Sequence, residues 1–226
     1  MGRPVCVVVG IGPKNGRAFA TRFASEGYAV ALLSRSTDYS SALAEELDGK
    51  AYACDVTDAD AIARTFERIR EDLGDVEVLL YNAGSGQFGT FDDVSDEAFE
   101  TGWKINVRGL LQCTRQVVEA MRERGAGVIV ITGATASLRG KPFTAAFAQA
   151  KAAQRSLAQS FARQLGPEGI HVALVIVDGR IGTDDQEADA NSLKPSDIAE
   201  TVYQVAVQPK SAWTFETEVR PFNESW

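Results

Sequence analysis

Histidine occurs only once in the 226 residues, as His171, and cysteine only three times, as Cys6, Cys54 and Cys113. The cysteines are far apart, odd in number and without CxxC or histidine-paired spacing, which excludes a disulfide framework and a structural zinc site. They read as small buried hydrophobes in a reducing compartment. His171 falls at the start of a β-branched run, at the far end of the expected sheet and without an orienting partner, and takes no catalytic role. Basic residues are also scarce: 23 Lys and Arg against 31 Asp and Glu leave a net charge of -8. Such a field repels phosphate backbones and anionic lipid, so neither nucleic acid nor a membrane surface is expected as a partner. Long hydrophobic runs are missing too. The stretch 5–9 is far below the ~20 residues that span a bilayer, and no charged region with an apolar segment precedes it. A cytoplasmic protein is the expectation. No linker rich in Gly, Pro or Ser divides the chain, so one domain over 1–226 is expected.

What is present is an alternation. Short β-branched runs at 5–9, 29–33, 51–54, 76–80, 128–131, 171–177 and 213–219 are apolar almost throughout, as strands buried on both faces are. Amphipathic segments separate them. The clearest is 58–73, where Asp58 can cap, Ile62, Phe66, Ile69 and Leu73 share a face, and Gly74 can end the helix. This order predicts an α/β fold, a doubly wound and mostly parallel sheet of Rossmann type. The least patterned stretch, 182–194, is expected to be a mobile loop after the sixth strand and a candidate lid. Its Asp184, Asp185, Glu187 and Asp189 read as solvated carboxylates, and no metal is expected.

The first strand runs into Gly10-Ile11-Gly12-Pro13-Lys14-Asn15-Gly16 and then a helical stretch. Glycines there let backbone N–H groups approach a pyrophosphate at a helix N-terminus. Lys14 puts a side chain where bare backbone fits most easily, and its ammonium can meet a phosphate. The second strand ends in Ser34-Arg35. A preference for NAD usually places a carboxylate there, whereas a 2′-phosphate calls for a cation. Ser34, Arg35 and Lys14 therefore point to NADP(H).

With these, further segments resemble the short-chain dehydrogenase/reductase family over almost the full length. The glycine turn looks like TGxxxGxG, matched at Gly10 and Gly16, with Val9 in place of Thr and Lys14 in place of the middle glycine. Asp55-Val56 resembles the family's Asp-Val after the third strand, which implies that Asp55 binds the adenine amino group. Tyr81-Asn82-Ala83-Gly84 is similar to NNAG, which lines the adenosine side. Asn106 matches the helix asparagine that holds a water linked to the active-site lysine. Asp178-Gly179-Arg180-Ile181-Gly182-Thr183 resembles PGxIxT, whose residues contact the nicotinamide carboxamide and phosphates, with Asp178 replacing proline.

The family's Tyr-x-x-x-Lys stands here as Phe147-Ala148-Gln149-Ala150-Lys151, and its serine position is Ala134. Residues four apart share a helical face, so Phe147 and Lys151 both face the nicotinamide by this resemblance. Asn106 and Lys151 remain of the catalytic set. Phenylalanine has no proton to give. A positioned acid contributes ~10²- to 10⁴-fold and one oxyanion donor ~10²- to 10³-fold, so ordinary carbonyl reduction is expected to be crippled unless Thr135, Ser137 or Asp178 substitutes. The resemblance implies an NADP(H)-dependent oxidoreductase with an atypical site, acting on a small carbonyl, alcohol or activated C=C. Reduction of an activated C=C suffers least, because solvent can supply the α-proton. The alternative is a non-catalytic NADP(H)-binding regulatory or interaction protein. Trp103 and the helices 95–124 and 143–165 are either core or, as the family implies, the packing face of a homodimer or homotetramer.

Overall fold

The first strand, β1 (Val5–Val9), is buried along its whole length. Val5, Val7 and Val9 join one apolar core while Cys6 and Val8 join another, because successive side chains leave a strand on opposite faces. A strand apolar at every position therefore sits inside a sheet covered on both sides. The computed structural model describes residues 2–85, 87–184 and 191–224.

The chain then alternates: α1 (Asn15–Ser25), β2 (Ala29–Ser34), α2 (Asp38–Glu46), β3 (Lys50–Ala53), α3 (Ala59–Leu73) and β4 (Val76–Tyr81). Next come α4 (Asp96–Trp103), a π-helical turn (Lys104–Arg108), α5 (Gly109–Arg124), β5 (Gly127–Ala134), α6 (Ala145–Leu165) and β6 (Ile170–Val177). The pair β7 (Arg180–Ile181) and β8 (Ser192–Leu193), then α7 (Pro195–Ala206) and β9 (Glu216–Val219), complete the described chain. Seven strands form one sheet in the order β3-β2-β1-β4-β5-β6-β9, every pair parallel. This is a single-domain Rossmann-type α/β fold.

One face is covered by α3, α5 and α6, through side chains such as Phe66, Val117 and Phe161; the other is covered by α1, α2 and α7, through Phe23, Leu43 and Ile198. Each such side chain contributes ~1.5 to 3 kcal/mol by leaving water. The helix expected at 58–73 forms as its sequence predicts. Asp58 Oδ1 accepts from the amides of Asp60 and Ala61 at 2.9 and 3.1 Å, and Gly74 follows the last turn at φ 102°.

Three expectations need correction. The run 213–219 contributes only β9, because Trp213 follows a 3-10 turn and its ring stacks on His171 at 4.9 Å. The expected loop 182–194 is shorter at its C-terminal end, since Ser192 and Leu193 pair with Arg180 and Ile181 and Lys194 caps α7. Residues 185–190 of that loop lie outside the described residues. Trp103 is not core, being 44% exposed on α4 beside Phe99 at 46%.

Between β1 and β4 the strand order reverses direction, and in such sheets ligands bind outside the carboxyl ends of the strands at that point. Gly10, Asn82, Thr135 and Asp178 follow β1, β4, β5 and β6 there. The side chain of Asn82 donates from Nδ2 to the Gly10 carbonyl at 2.8 Å and so ties the two sides of the switch together.

Candidate active site

Two cavities meet at this switch point. The first, about 600 Å³, is lined by Gly10, Ser34, Arg35, Asp55, Val56 and Ala83, and the second, about 490 Å³, by Ala134, Thr135, Phe147, Lys151, Asp178 and Gly179. Asn82, Gly84 and Ser85 line both. The turn beneath them has no room for a side chain at Gly10 or Gly16. Gly10 has φ +94° and a Cβ there would lie 2.5 Å from the Ala83 amide, while one at Gly16 would lie 2.7 Å from the Gly10 carbonyl. Any substitution at Gly10 is strained as well as crowded.

Arg35 is exposed at the rim of the first cavity. Ser34 Oγ is occupied locally, bonding the Ser36 carbonyl at 2.7 Å and Ser40 Oγ at 2.9 Å. Asp55 Oδ1 accepts from the amide and hydroxyl of Thr57, both at 2.8 Å, which holds the carboxylate at the end of β3. Lys14 is placed differently from the expectation. Its Nζ donates to the Ile181 carbonyl at 2.5 Å and latches the glycine turn to β7. An ammonium has three donors, so a phosphate can compete for the other two.

The second cavity is organised by Lys151, which is 5% exposed on α6. Its Nζ donates to the Thr132 carbonyl and to Gln154 Oε1, each at 2.9 Å. Gln154 Nε2 donates in turn to the Asn106 carbonyl at 3.0 Å. Asn106 belongs to the π turn, a geometry that recurs at functional sites, and its Nδ2 donates to the Gly102 carbonyl at 2.8 Å. Its Oδ1 is sealed without a partner among the described residues, as is Oδ1 of Asn15. A Cβ on Gly84 would stand 3.4 Å from Asn106 Oδ1 and 3.5 Å from Lys151 Nζ, so bare backbone lies against both groups. Burial pushes the lysine down from its ordinary value to about 7, while the two oxygen acceptors favour the charged form.

Phe147 lies one turn before Lys151, with Nζ 6.0 Å from its ring centroid. Its ring is 5.4 Å from that of Phe88, which is 6.3 Å from Phe143. Phe88 and Phe143 are 61% and 51% exposed, so the cavity carries an open aromatic wall. At the end of β6, both oxygens of Asp178 are engaged: Thr135 Oγ1 donates to Oδ1 at 2.5 Å, and Arg220 Nη2 donates to Oδ2. Arg139 adds a contact at 3.8 Å.

The structure thus brings together Asn15, Asn82, Gly84, Thr135, Phe147, Lys151, Asp178, Gly179 and Ile181 around the second cavity. Gly12, Gly16, Asn106, Ser137 and Thr183 line neither cavity. Ser137 Oγ is buried without a hydrogen-bond partner among the described residues and lines neither cavity, so it presents no hydroxyl to a substrate there. Thr183 is exposed beyond β7. Asp184 Oδ1 accepts from the Ser196 amide at 3.0 Å, while Asp185, Glu187 and Asp189 lie outside the described residues. Sequence reasoning missed Gln154, Phe88, Phe143 and Arg220. Gln154 alone carried a local signal, as a glutamine three residues from Lys151 and hence on its helical face; the others are joined only by the fold.

Comparison with known proteins decides the family, since its short chain dehydrogenase profile matches residues 4–192. The chain belongs to the short-chain dehydrogenase family. Relatives of this chain include D-xylose 1-dehydrogenase of Caulobacter vibrioides, 32% identical over 186 residues, which covers 80% of this chain and 73% of that one. A short-chain dehydrogenase structure from Rhodopseudomonas palustris is 32% identical, with TM-score 0.84 over 97% of this chain and 99% of that one. The alcohol dehydrogenase of Thermococcus sibiricus, complexed with 5-hydroxy-NADP, is 25% identical, with TM-score 0.90 over 99% and 98%. No helix among the described residues is long and apolar enough to cross a membrane.

Proposed function

We propose that this short-chain dehydrogenase binds NADP(H) and uses it to reduce or oxidise a small organic substrate through an atypical active site. The observation that carries the reading is the joining of the two cavities at Asn82, Gly84 and Ser85, one rimmed by Arg35 and the other by Lys151. Together they make one continuous site, with Arg35 on the first cavity and Lys151 against Gly84 where the two join. The residues fit the cofactor: the Gly10 and Gly16 cradle admits no Cβ, and the buried oxygens of Asn15 and Asn106 have no partner among the described residues. Asp55 and Val56 would hold the adenine, Arg35 the 2′-phosphate, the N-terminus of α1 the pyrophosphate, and Lys151, Gly179 and Ile181 the nicotinamide half. The cofactor supplies hydride when bound.

The chain's own residues decide which substrates can use that hydride. Phe147 and Ala134 stand at the family's Tyr and Ser positions and give neither a proton nor an oxyanion hydrogen bond. Thr135, the residue after Ala134, presents a hydroxyl to the cavity, and its proton already points to Asp178. Its oxygen is therefore an acceptor for a substrate hydroxyl, with the proton directed on to the carboxylate. Activated C=C reduction demands least of such a site, because solvent can protonate the α-carbon. Phe88, Phe143 and Phe147 select an apolar face on the substrate, as exposed aromatics lining a pocket do.

Helices α4 to α6 are the proposed interface of a homodimer or homotetramer, with Phe99 and Trp103 as exposed anchors. The three free, buried cysteines fit a reducing compartment such as the cytoplasm. The test of the reaction is transfer of deuterium from NADPH labelled at nicotinamide C4 into a panel of ketones, aldehydes and conjugated enones, read by mass spectrometry. Label on the β-carbon of an enone is the expected result. Cofactor binding with no transfer to any substrate would favour the regulatory, non-catalytic alternative.

A further inference from the structure

Lys151 has three N–H donors, and two of them are committed, to the Thr132 carbonyl and to Gln154 Oε1. An ammonium nitrogen is tetrahedral, so two fixed directions determine the third. Lys151 lines the second cavity, which gives the third donor somewhere to act. Of the two anchors, Thr132 offers main-chain carbonyl from β5, set by the sheet. Gln154 is a side chain, and it is held at both ends: Oε1 by Lys151 and Nε2 by the Asn106 carbonyl.

A fully buried amide is costly unless both ends are bonded. The other buried residues of α6 beside this pair are apolar: Ala146, Ala150, Ala158, Phe161 and Leu165. An apolar side chain at 154 would suit that face as well. Gln154 is completely buried and does not line the cavity, so its chemistry reaches the site only through Lys151. Charged groups on the same cavity are Asp178 after β6, Arg139 and Lys141 between β5 and α6, and Glu224 near the C-terminus. None forms an ion pair with Lys151 among the described residues, and Asp178 is engaged by Arg220. The neutral oxygens of Gln154 and Thr132 are therefore what compensates the buried ammonium.

We propose that Gln154 is a positioning residue that aims the free N–H of Lys151 into the cofactor-binding cavity and keeps the lysine protonated there. The cavity's occupant rests on the NADP(H) reading above, but the lysine's own state does not. Proton titration of isotopically labelled apoprotein, following the Lys151 side chain by NMR, tests the claim without cofactor; its resonance is identified by its loss in Lys151→Met. Gln154→Leu should lower the Lys151 midpoint by roughly one to two pH units, the effect of losing one hydrogen bond to a charged group. Gln154→Glu keeps the acceptor and adds an opposite charge, so it should raise the midpoint above that of the parent protein. NADPH affinity should follow, falling roughly tenfold in Gln154→Leu at pH 8 and less at pH 6. An unchanged midpoint in Gln154→Glu, or a midpoint lowered equally by both substitutions, would overturn the proposal; if Gln154→Leu does not fold, Gln154→Glu decides alone. Absence of NADPH binding by the parent protein would instead overturn the cofactor reading and leave the titration to judge Gln154.

Discussion

Arg35→Ala should weaken NADPH binding while leaving NADH nearly untouched. Arg35 is exposed at the rim of the first cavity and makes no hydrogen bond or ion pair among the described residues. Its removal should thus change folding stability by no more than about 0.5 kcal/mol, so affinity changes report on the ligand. A hydrogen bond to a charged group contributes ~1.5 to 3 kcal/mol. At ~1.4 kcal/mol per decade this is a loss of roughly 10- to 150-fold. Exposure puts the expectation at the lower end at physiological salt, where charges are screened beyond ~8 Å. Calorimetric titration of both cofactors at two ionic strengths measures it. The NADPH loss should grow as salt is lowered. Equal losses for the two cofactors, or a preference of the parent protein for NADH, would refute the reasoning.

Restoring the missing hydroxyls by Phe147→Tyr with Ala134→Ser should raise reduction of simple ketones and aldehydes, the pair exceeding the sum of the single changes because acid and oxyanion donor act as a unit; a parent rate near ~10 s⁻¹ on such carbonyls would show that another group already supplies the proton. Burial lowers Lys151 to about 7 from an ordinary 10.5, so between those values the unfolded chain binds the extra proton and this lysine makes stability rise with pH. Chemical denaturation of the parent and of Lys151→Met should show their stability difference moving toward the parent by up to ~1.4 kcal/mol per pH unit from pH 7 to 9, and a flat difference would contradict a buried lysine. Light scattering at micromolar concentration should give a dimer or tetramer, reduced toward monomer by Phe99→Glu with Trp103→Glu; a monomeric parent would refute the interface on α4.

Most of the fold was legible because its strands are buried on both faces and so are apolar at nearly every position, as in β1 and β6. The capping of α3 was legible for a different reason: Asp58 and Gly74 act within one turn of their own sequence. What escaped was non-local. The extended run ending in β9 looked longer because Trp213 is apolar for stacking on His171 rather than for sheet pairing. The pairing of β7 with β8 joins two-residue strands too short for any periodicity. In the site, spacing alone placed Phe147 and Lys151 on one face of α6. It did not show that Lys14 turns to the Ile181 carbonyl, that Ser137 is sealed, or that Arg220 arrives from beyond β9 to hold Asp178. Each of those depends on elements far apart in the chain.

The central claim is that this chain holds NADP(H), and a thermal-shift titration with NADPH, NADP⁺, NADH and NAD⁺ tests it most directly. A ligand at a hundredfold excess over its Kd stabilises the folded state by ~2.7 kcal/mol. For a domain of this length, at ~2 to 4 °C per kcal/mol, that raises Tm by roughly 5 to 10 °C. The account predicts shifts of this size with NADPH and NADP⁺ and smaller ones with NADH and NAD⁺ at equal concentration. No shift with any of the four at millimolar concentration would contradict it.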